Sequence, residues 1–224
     1  MIELQNIRVS YGTKQALDGV DLTLGPGELV GLFGENGAGK TTLMKSILQF
    51  IRYSGSITLD DEPITRKNIA SLSFATCEHS FFPALSADAH REFYQAHFPG
   101  FLNRRFEGLM DFFALPMHKR VGSFSAGQQN QFEVILALCQ GADYILMDEP
   151  FAGNDVFNRE DFYKVLLGIL EPHETVLLST HLIEEVTGFV SRALLIHKGK
   201  LIGDVQVAEL EEQGKTLMDY VKET

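Results

Sequence analysis

The stretch Gly34-Glu35-Asn36-Gly37-Ala38-Gly39-Lys40-Thr41 matches G-x-x-x-x-G-K-[ST] at every fixed position. An apolar β-like run, Leu29 to Phe33, precedes it, and a helix-like run, Lys40 to Phe50, follows it. That context gives the motif its chemistry. Glycines let the backbone curl so that successive N–H groups point inward at phosphate oxygens. The following helix adds its free N–H groups and the positive end of its dipole. Lys40 supplies a point charge for the β- and γ-phosphates, and the Thr41 hydroxyl suits a hard Mg²⁺ ion.

Further along, Tyr144-Ile145-Leu146-Met147-Asp148-Glu149-Pro150 is an apolar run ending in adjacent carboxylates. In an open α/β sheet ligands sit beyond the carboxyl ends of strands. Neighbouring residues on a strand point to opposite sides, so Asp148 and Glu149 are expected to do different work. Asp148 suits the Mg²⁺ shell; Glu149 suits a general base acting on water.

Other β-like segments are Glu3 to Arg8, Val20 to Leu24, Ser56 to Leu59, Leu72 to Thr76, Val176 to Ser179 and Ala193 to Ile196. Helical patterns run from Gln129 to Cys139 and from Arg159 to Leu170. This alternation predicts a mostly parallel sheet with helices on its faces. From Ser86 to Lys119 the pattern changes to aromatic residues among charges, read as a small helical insertion with its own aromatic core. The tail from Val205 is charged and reads as a closing helix.

With 30 acidic residues against 19 Lys+Arg and a formal charge of −11, the chain lacks an overall basic footprint, and no nucleic-acid partner is expected. Its two cysteines, Cys77 and Cys139, form no CxxC pair, which points to a reducing compartment rather than a disulfide scaffold. No apolar run approaches the roughly 18 residues of a membrane helix, and the start has no secretory signal pattern.

Later motifs narrow the reading. Phe124-Ser125-Ala126-Gly127-Gln128 resembles the LSGGQ signature of ABC transporter ATPase domains. Gly153-Asn154-Asp155 sits where that family has its D-loop, Thr180-His181 matches its switch histidine, and Tyr11 in Val9-Ser10-Tyr11-Gly12 matches its adenine-stacking aromatic. The resemblance runs from Ile2 to about Asp204. It implies an α/β P-loop NTPase with a RecA-like parallel-sheet core, an N-terminal antiparallel β subdomain and a small α-helical subdomain. The whole chain, 1–224, would be one ATPase domain, with residues of about 86–139 forming the helical part and the remainder the core.

The resemblance also implies an ATP-hydrolysing subunit of a transporter, of bacterial exporter type, serving peptides or antimicrobial compounds. ATP and Mg²⁺ would sit between two such domains, homodimeric or paralogous. Separate transmembrane permease subunits would supply the pathway, placing the chain at the cytoplasmic face of the cell membrane. Tyr11 would stack on the base. Gly34, Glu35, Asn36, Gly37, Ala38, Gly39, Lys40, Thr41 and Thr42 would hold the phosphates. Thr41 and Asp148 would hold the metal, joined by Cys77 or Glu78, where the family carries its Q-loop glutamine. Lys40, Glu149 and His181 would be catalytic. Ser125, Ala126, Gly127 and Gln128 would close over the partner's ATP, and Asp155 would act in the D-loop.

Several positions depart from the family pattern: Cys77, Ala126 for glycine, Gln131 for arginine and Asn154 for an apolar residue. A thiol is a poor Mg²⁺ ligand, and Ala126 fits only where the backbone keeps ordinary dihedrals. These departures keep open a degenerate regulatory partner of a heteromeric pair; a soluble non-transport ATPase of the same family is the further alternative. The lesser motifs also have plain structural uses: Tyr11 as a turn tyrosine, His181 as the cap of a helix near Leu182, Ser125 as a helix N-cap.

Overall fold

The computed structural model describes residues 1–150 and 159–223. Its centre is a six-stranded sheet in the order β10-β9-β3-β8-β7-β6. The strands are β3 (Leu29–Phe33), β6 (Leu72–Thr76), β7 (Tyr144–Asp148), β8 (Thr175–Thr180), β9 (Arg192–His197) and β10 (Lys200–Gln206). All pair in parallel except β9 with β10. A four-stranded antiparallel sheet, β2-β1-β4-β5, lies beside it: β1 (Ile2–Tyr11), β2 (Lys14–Leu24), β4 (Ser54–Leu59) and β5 (Glu62–Pro63).

The apolar runs that read as strands are buried on both faces: β3, β7 and β8 carry no exposed residue. Period-two alternation sorts them into two cores. Val30, Leu32, Tyr144, Leu146, Leu177, Leu194 and Ile196 face the antiparallel sheet and α1 (Lys40–Ile47). Leu29, Phe33, Ile145, Met147, Val176, Leu178, Ala193 and Leu195 join the opposite cluster.

That second cluster takes in α2 (Ala87–His97), α3 (Asn103–Phe112) and α4 (Ala126–Cys139) through Ala87, Phe106, Leu109, Phe132 and Ile135. The aromatic core expected for the inserted helices is therefore not their own; it is continuous with one face of the sheet. A buried ion pair reinforces the join. Arg105 on α3 grips Glu174 with both guanidinium nitrogens, at 2.7 and 2.8 Å, and also donates to the carbonyls of Leu138 and Ile169.

The tail corrects the reading of one closing helix from Val205. Val205 and Gln206 end β10, and two short helices follow, α7 (Val207–Glu212) and α8 (Leu217–Glu223). Helix α1 stops at Ile47 rather than Phe50, where Gln49 takes a left-handed φ of 60°. Helix α4 starts three residues before Gln129, at Ala126. Between β7 and β8 lie α5 (Arg159–Ile169), and after β8 the short α6 (Ile183–Val186).

Candidate active site

The carboxyl ends of β3, β7 and β8 deliver the loop 34–39, the pair Asp148–Glu149 and His181 to one place. The loop turns tightly because it is glycine at the right positions. Gly39 sits at φ +120°, and a Cβ there would lie 2.8 Å from the Ala16 carbonyl oxygen; one on Gly34 would lie 2.3 Å from that of Ile196. A cavity of about 210 Å³ opens over this loop, lined by Tyr11, Lys14, Ala16, Asn36, Gly37, Gly39, Lys40, Thr41, Thr42 and Glu149. Gly34 and Glu35 do not line it; their carbonyls accept hydrogen bonds from the Lys40 ammonium at 2.7 and 3.3 Å. Ala38 is buried beneath the loop, its carbonyl held by the Gly199 N–H.

Lys40 is 6% exposed, and its Nζ lies 3.5 Å from Glu149 Oε1. The other carboxylate oxygen accepts from His181 Nδ1 at 3.0 Å. A carboxylate accepts only, so Nδ1 carries the proton. The strand alternation expected to separate Asp148 from Glu149 does not reach Glu149: β7 ends at Asp148, and Glu149 turns into the left-handed region at φ 48°. Its N–H is taken by Ser179, through both the carbonyl and the hydroxyl, each at 3.1 Å. This turn, not the pleat, aims the Glu149 carboxylate at Lys40.

Asp148 is fixed from two sides. The Thr41 hydroxyl donates to Oδ2 and the Ser179 hydroxyl to Oδ1, both at 2.5 Å. Thr41 and Asp148 together form a hard oxygen donor set beside the phosphate loop, and this fits Mg²⁺. Cys77 and Glu78 do not join it. The Cys77 thiol is exposed, and Glu78 points to Lys45, accepting from its Nζ at 2.9 Å. Neither lines the cavity, so the expected third metal position is not built here.

Ser125, Ala126, Gly127 and Gln128 stand away from this cavity, at the start of α4. The Gln128 N–H donates to the Ser125 hydroxyl, and the Ser125 N–H donates to the Gln128 side-chain carbonyl: a capping box. Ala126, as the first helical residue, is not at positive φ, which is why its methyl is accommodated. Gly153, Asn154 and Asp155 lie outside the described residues.

Lys14, Ala16 and Ser179 went unread in the sequence. Lys14 and Ala16 enter from β2, whose start lies well before Val20. The one available signal for Ser179 was a hydroxyl closing an otherwise apolar strand.

A family model described as ABC transporter matches residues 17–152. The ABC transporter ATP-binding protein NatA of Bacillus subtilis is 32% identical over 201 residues, covering 84% of this chain and 80% of the relative. A manganese transport system ATP-binding protein of Halalkalibacterium halodurans is 29% identical over 220 residues, 94% of this chain and 88% of the relative. A linearmycin resistance ATP-binding protein of Bacillus subtilis is 28% identical, with 90% and 68% covered. A solved ATP-binding subunit of an ABC transporter superposes over 99% of this chain and 98% of its own with a TM-score of 0.86 at 20% identity. The phosphate loop, the carboxylates at the end of β7 and these similarities converge: the chain belongs to the ABC transporter family, as an ATP-binding subunit that hydrolyses ATP with Mg²⁺.

Proposed function

We propose that this chain turns over ATP at the cavity above residues 34–42 and that Glu149 is the general base. The observation carrying this reading is the meeting of Lys40, Glu149 and His181 beside the Thr41–Asp148 pair. Lys40 meets the β- and γ-phosphates, which displace it from Glu149. The freed carboxylate then takes a proton from the attacking water, held in place by His181. Thr41 and Asp148 hold Mg²⁺, whose charge offsets that developing on the phosphate oxygens. Tyr11, 53% exposed at the rim, stacks on the base.

The family works as pairs of ATPase domains with separate permease subunits. In this pairing the exposed start of α4, Ser125 to Gln128, closes over the partner's nucleotide. The N–H groups of Ala126 and Gly127, which the capping box leaves untaken, suit the γ-phosphate. ATP then joins the halves, and hydrolysis lets them part. No helix among the described residues is long and apolar enough to cross a membrane, in keeping with a subunit seated on permeases at the cytoplasmic face.

For cargo, we infer export of peptides or antimicrobial compounds, supported by the relative named for linearmycin resistance. Metal import is the second reading, favoured by the relatives named for manganese transport. Deleting the gene separates them: antibiotic sensitisation supports export, and impaired manganese uptake supports import. The ATPase reading itself is tested by Mg²⁺-dependent phosphate release from the complex, wild type against Glu149→Gln; equal rates would remove Glu149 from the chemistry.

A further inference from the structure

Beside the phosphate loop lies a second hollow, of about 450 Å³, larger than the cavity of about 210 Å³ over Lys40. The two share no lining residue. The apolar walls of the second are Phe33, Ile183, Leu195, Ile196, Ile202 and Val221, drawn from β3, α6, β9, β10 and α8. Ile202, on the edge strand β10, is a large apolar side chain left 45% exposed. Walls of this kind around this volume suit a small organic molecule, and nothing in the ATP chemistry uses them.

The polar side chains in the hollow are Glu35, His181 and His197, and no Lys or Arg lines it. The Glu35 carbonyl is engaged by Lys40 and by the Ala38 N–H, but its carboxylate has no partner among the described residues. His181 donates through Nδ1 to Glu149 at 3.0 Å, so the neutral imidazole keeps Nε2 as an acceptor. His197 can offer either ring nitrogen. The fixed polar atoms are therefore acceptors: two carboxylate oxygens and one imidazole nitrogen. They call for a guest that donates, and a carboxylate beside apolar walls calls for a positive one.

We propose that this hollow binds a small hydrophobic amine, its body against Phe33, Leu195 and Ile202 and its ammonium held by Glu35 and His181, and that this guest slows ATP hydrolysis. Nε2 is the one polar atom left to His181 for holding the attacking water. An ammonium on it takes His181 out of the reaction while the nucleotide cavity stays open. The site itself stands on the hollow and its polar atoms; the effect on turnover rests on the catalytic reading above.

The test uses 4-phenylbutylamine, with 4-phenylbutanol and 4-phenylbutanoate as its neutral and anionic counterparts. Each is titrated calorimetrically into the full chain as wild type, Glu35→Gln and Ile202→Trp. Wild type should bind the amine about five-fold more tightly than the alcohol, and the carboxylate most weakly; Glu35→Gln should bind amine and alcohol alike. Ile202→Trp, which fills the mouth of the hollow, should lose about ten-fold for all three, with its affinity for a fluorescent ATP analogue unchanged. Saturating amine should lower phosphate release by the wild-type complex about ten-fold without displacing the analogue. Equal wild-type affinity for amine and alcohol would overturn the ligand class. Undiminished binding to Ile202→Trp, or displacement of the analogue by the amine, would overturn the location; should Ile202→Trp fail to fold, Glu35→Gln decides it. Tight amine binding with unchanged phosphate release would overturn the link to His181. If the untreated complex released no phosphate at all, the catalytic reading would fall, and the binding titrations alone would decide the site.

Discussion

The Lys40 ammonium and Glu149 Oε1 lie 3.5 Å apart, and that oxygen is buried with no hydrogen bond among the described residues. The carboxylate thus stands where it competes with phosphate for the lysine. Its neighbour Oε2 is already satisfied by His181, so only one side of the group awaits a partner.

Removing that competitor has a measurable consequence for the product. Glu149→Gln should bind ADP about five-fold more tightly, the value of a partly screened ion pair of about 1 kcal/mol. The same change should lower turnover by about 10²–10⁴-fold through loss of the base. Calorimetric titration with ADP checks the first, phosphate release the second. Unchanged ADP affinity would show that Glu149 does not compete for Lys40.

Tyr11 gives a prediction confined to the base. Tyr11→Ala should weaken ATP binding by about 5- to 150-fold, the range of base–aromatic stacking, and Tyr11→Trp should restore it. Inorganic triphosphate, which has no base, should bind both variants like wild type. An equal loss for triphosphate would mean that Tyr11 supports the loop rather than the base.

The Arg105–Glu174 pair joins the helical unit to the sheet, with both side chains almost wholly buried. Arg105→Met strands a buried carboxylate and should cost about 3–5 kcal/mol of unfolding free energy. Arg105→Met combined with Glu174→Leu should regain most of it. Urea unfolding of the four species measures the coupling; additive effects would contradict a buried pair.

His90 is fully buried, with Nδ1 donating to the Ser86 carbonyl and Nε2 accepting the Phe82 N–H. Burial lowers its pKa below 6.5, with the Ser86 bond opposing. A lowered folded pKa contributes stability that is present above 6.5 and is lost as pH falls through the folded value. Protonation also ends the bond to Phe82, since Nε2 then donates. Thermal midpoints of wild type should therefore fall more steeply from pH 7 to 5 than those of His90→Gln. Parallel slopes would exclude His90 from the acid response.

The central sheet was legible because β3, β7 and β8 are buried on both faces and their apolar runs are uninterrupted. β10 was not: its alternating exposed and half-buried residues, with Gly203 and Asp204, carry no apolar run, and it exists through pairing with β9. In the site, the loop around Lys40 was readable because its fixed residues are dictated by backbone geometry. Glu149 was readable as a type but not in its direction, which a left-handed turn held by Ser179 determines. The family resemblance put Cys77 or Glu78 at the metal; the pairing of Glu78 with Lys45 is a tertiary fact with no local signature.

The most direct measurement is calorimetric titration of ATP with Mg²⁺ into the wild-type chain and into Lys40→Ala. The expected result is saturable one-site binding to wild type, weakened by about 10- to 100-fold in the variant. Equal affinities, or no heat of binding to the wild-type chain, would contradict a triphosphate held by the loop that contains Lys40.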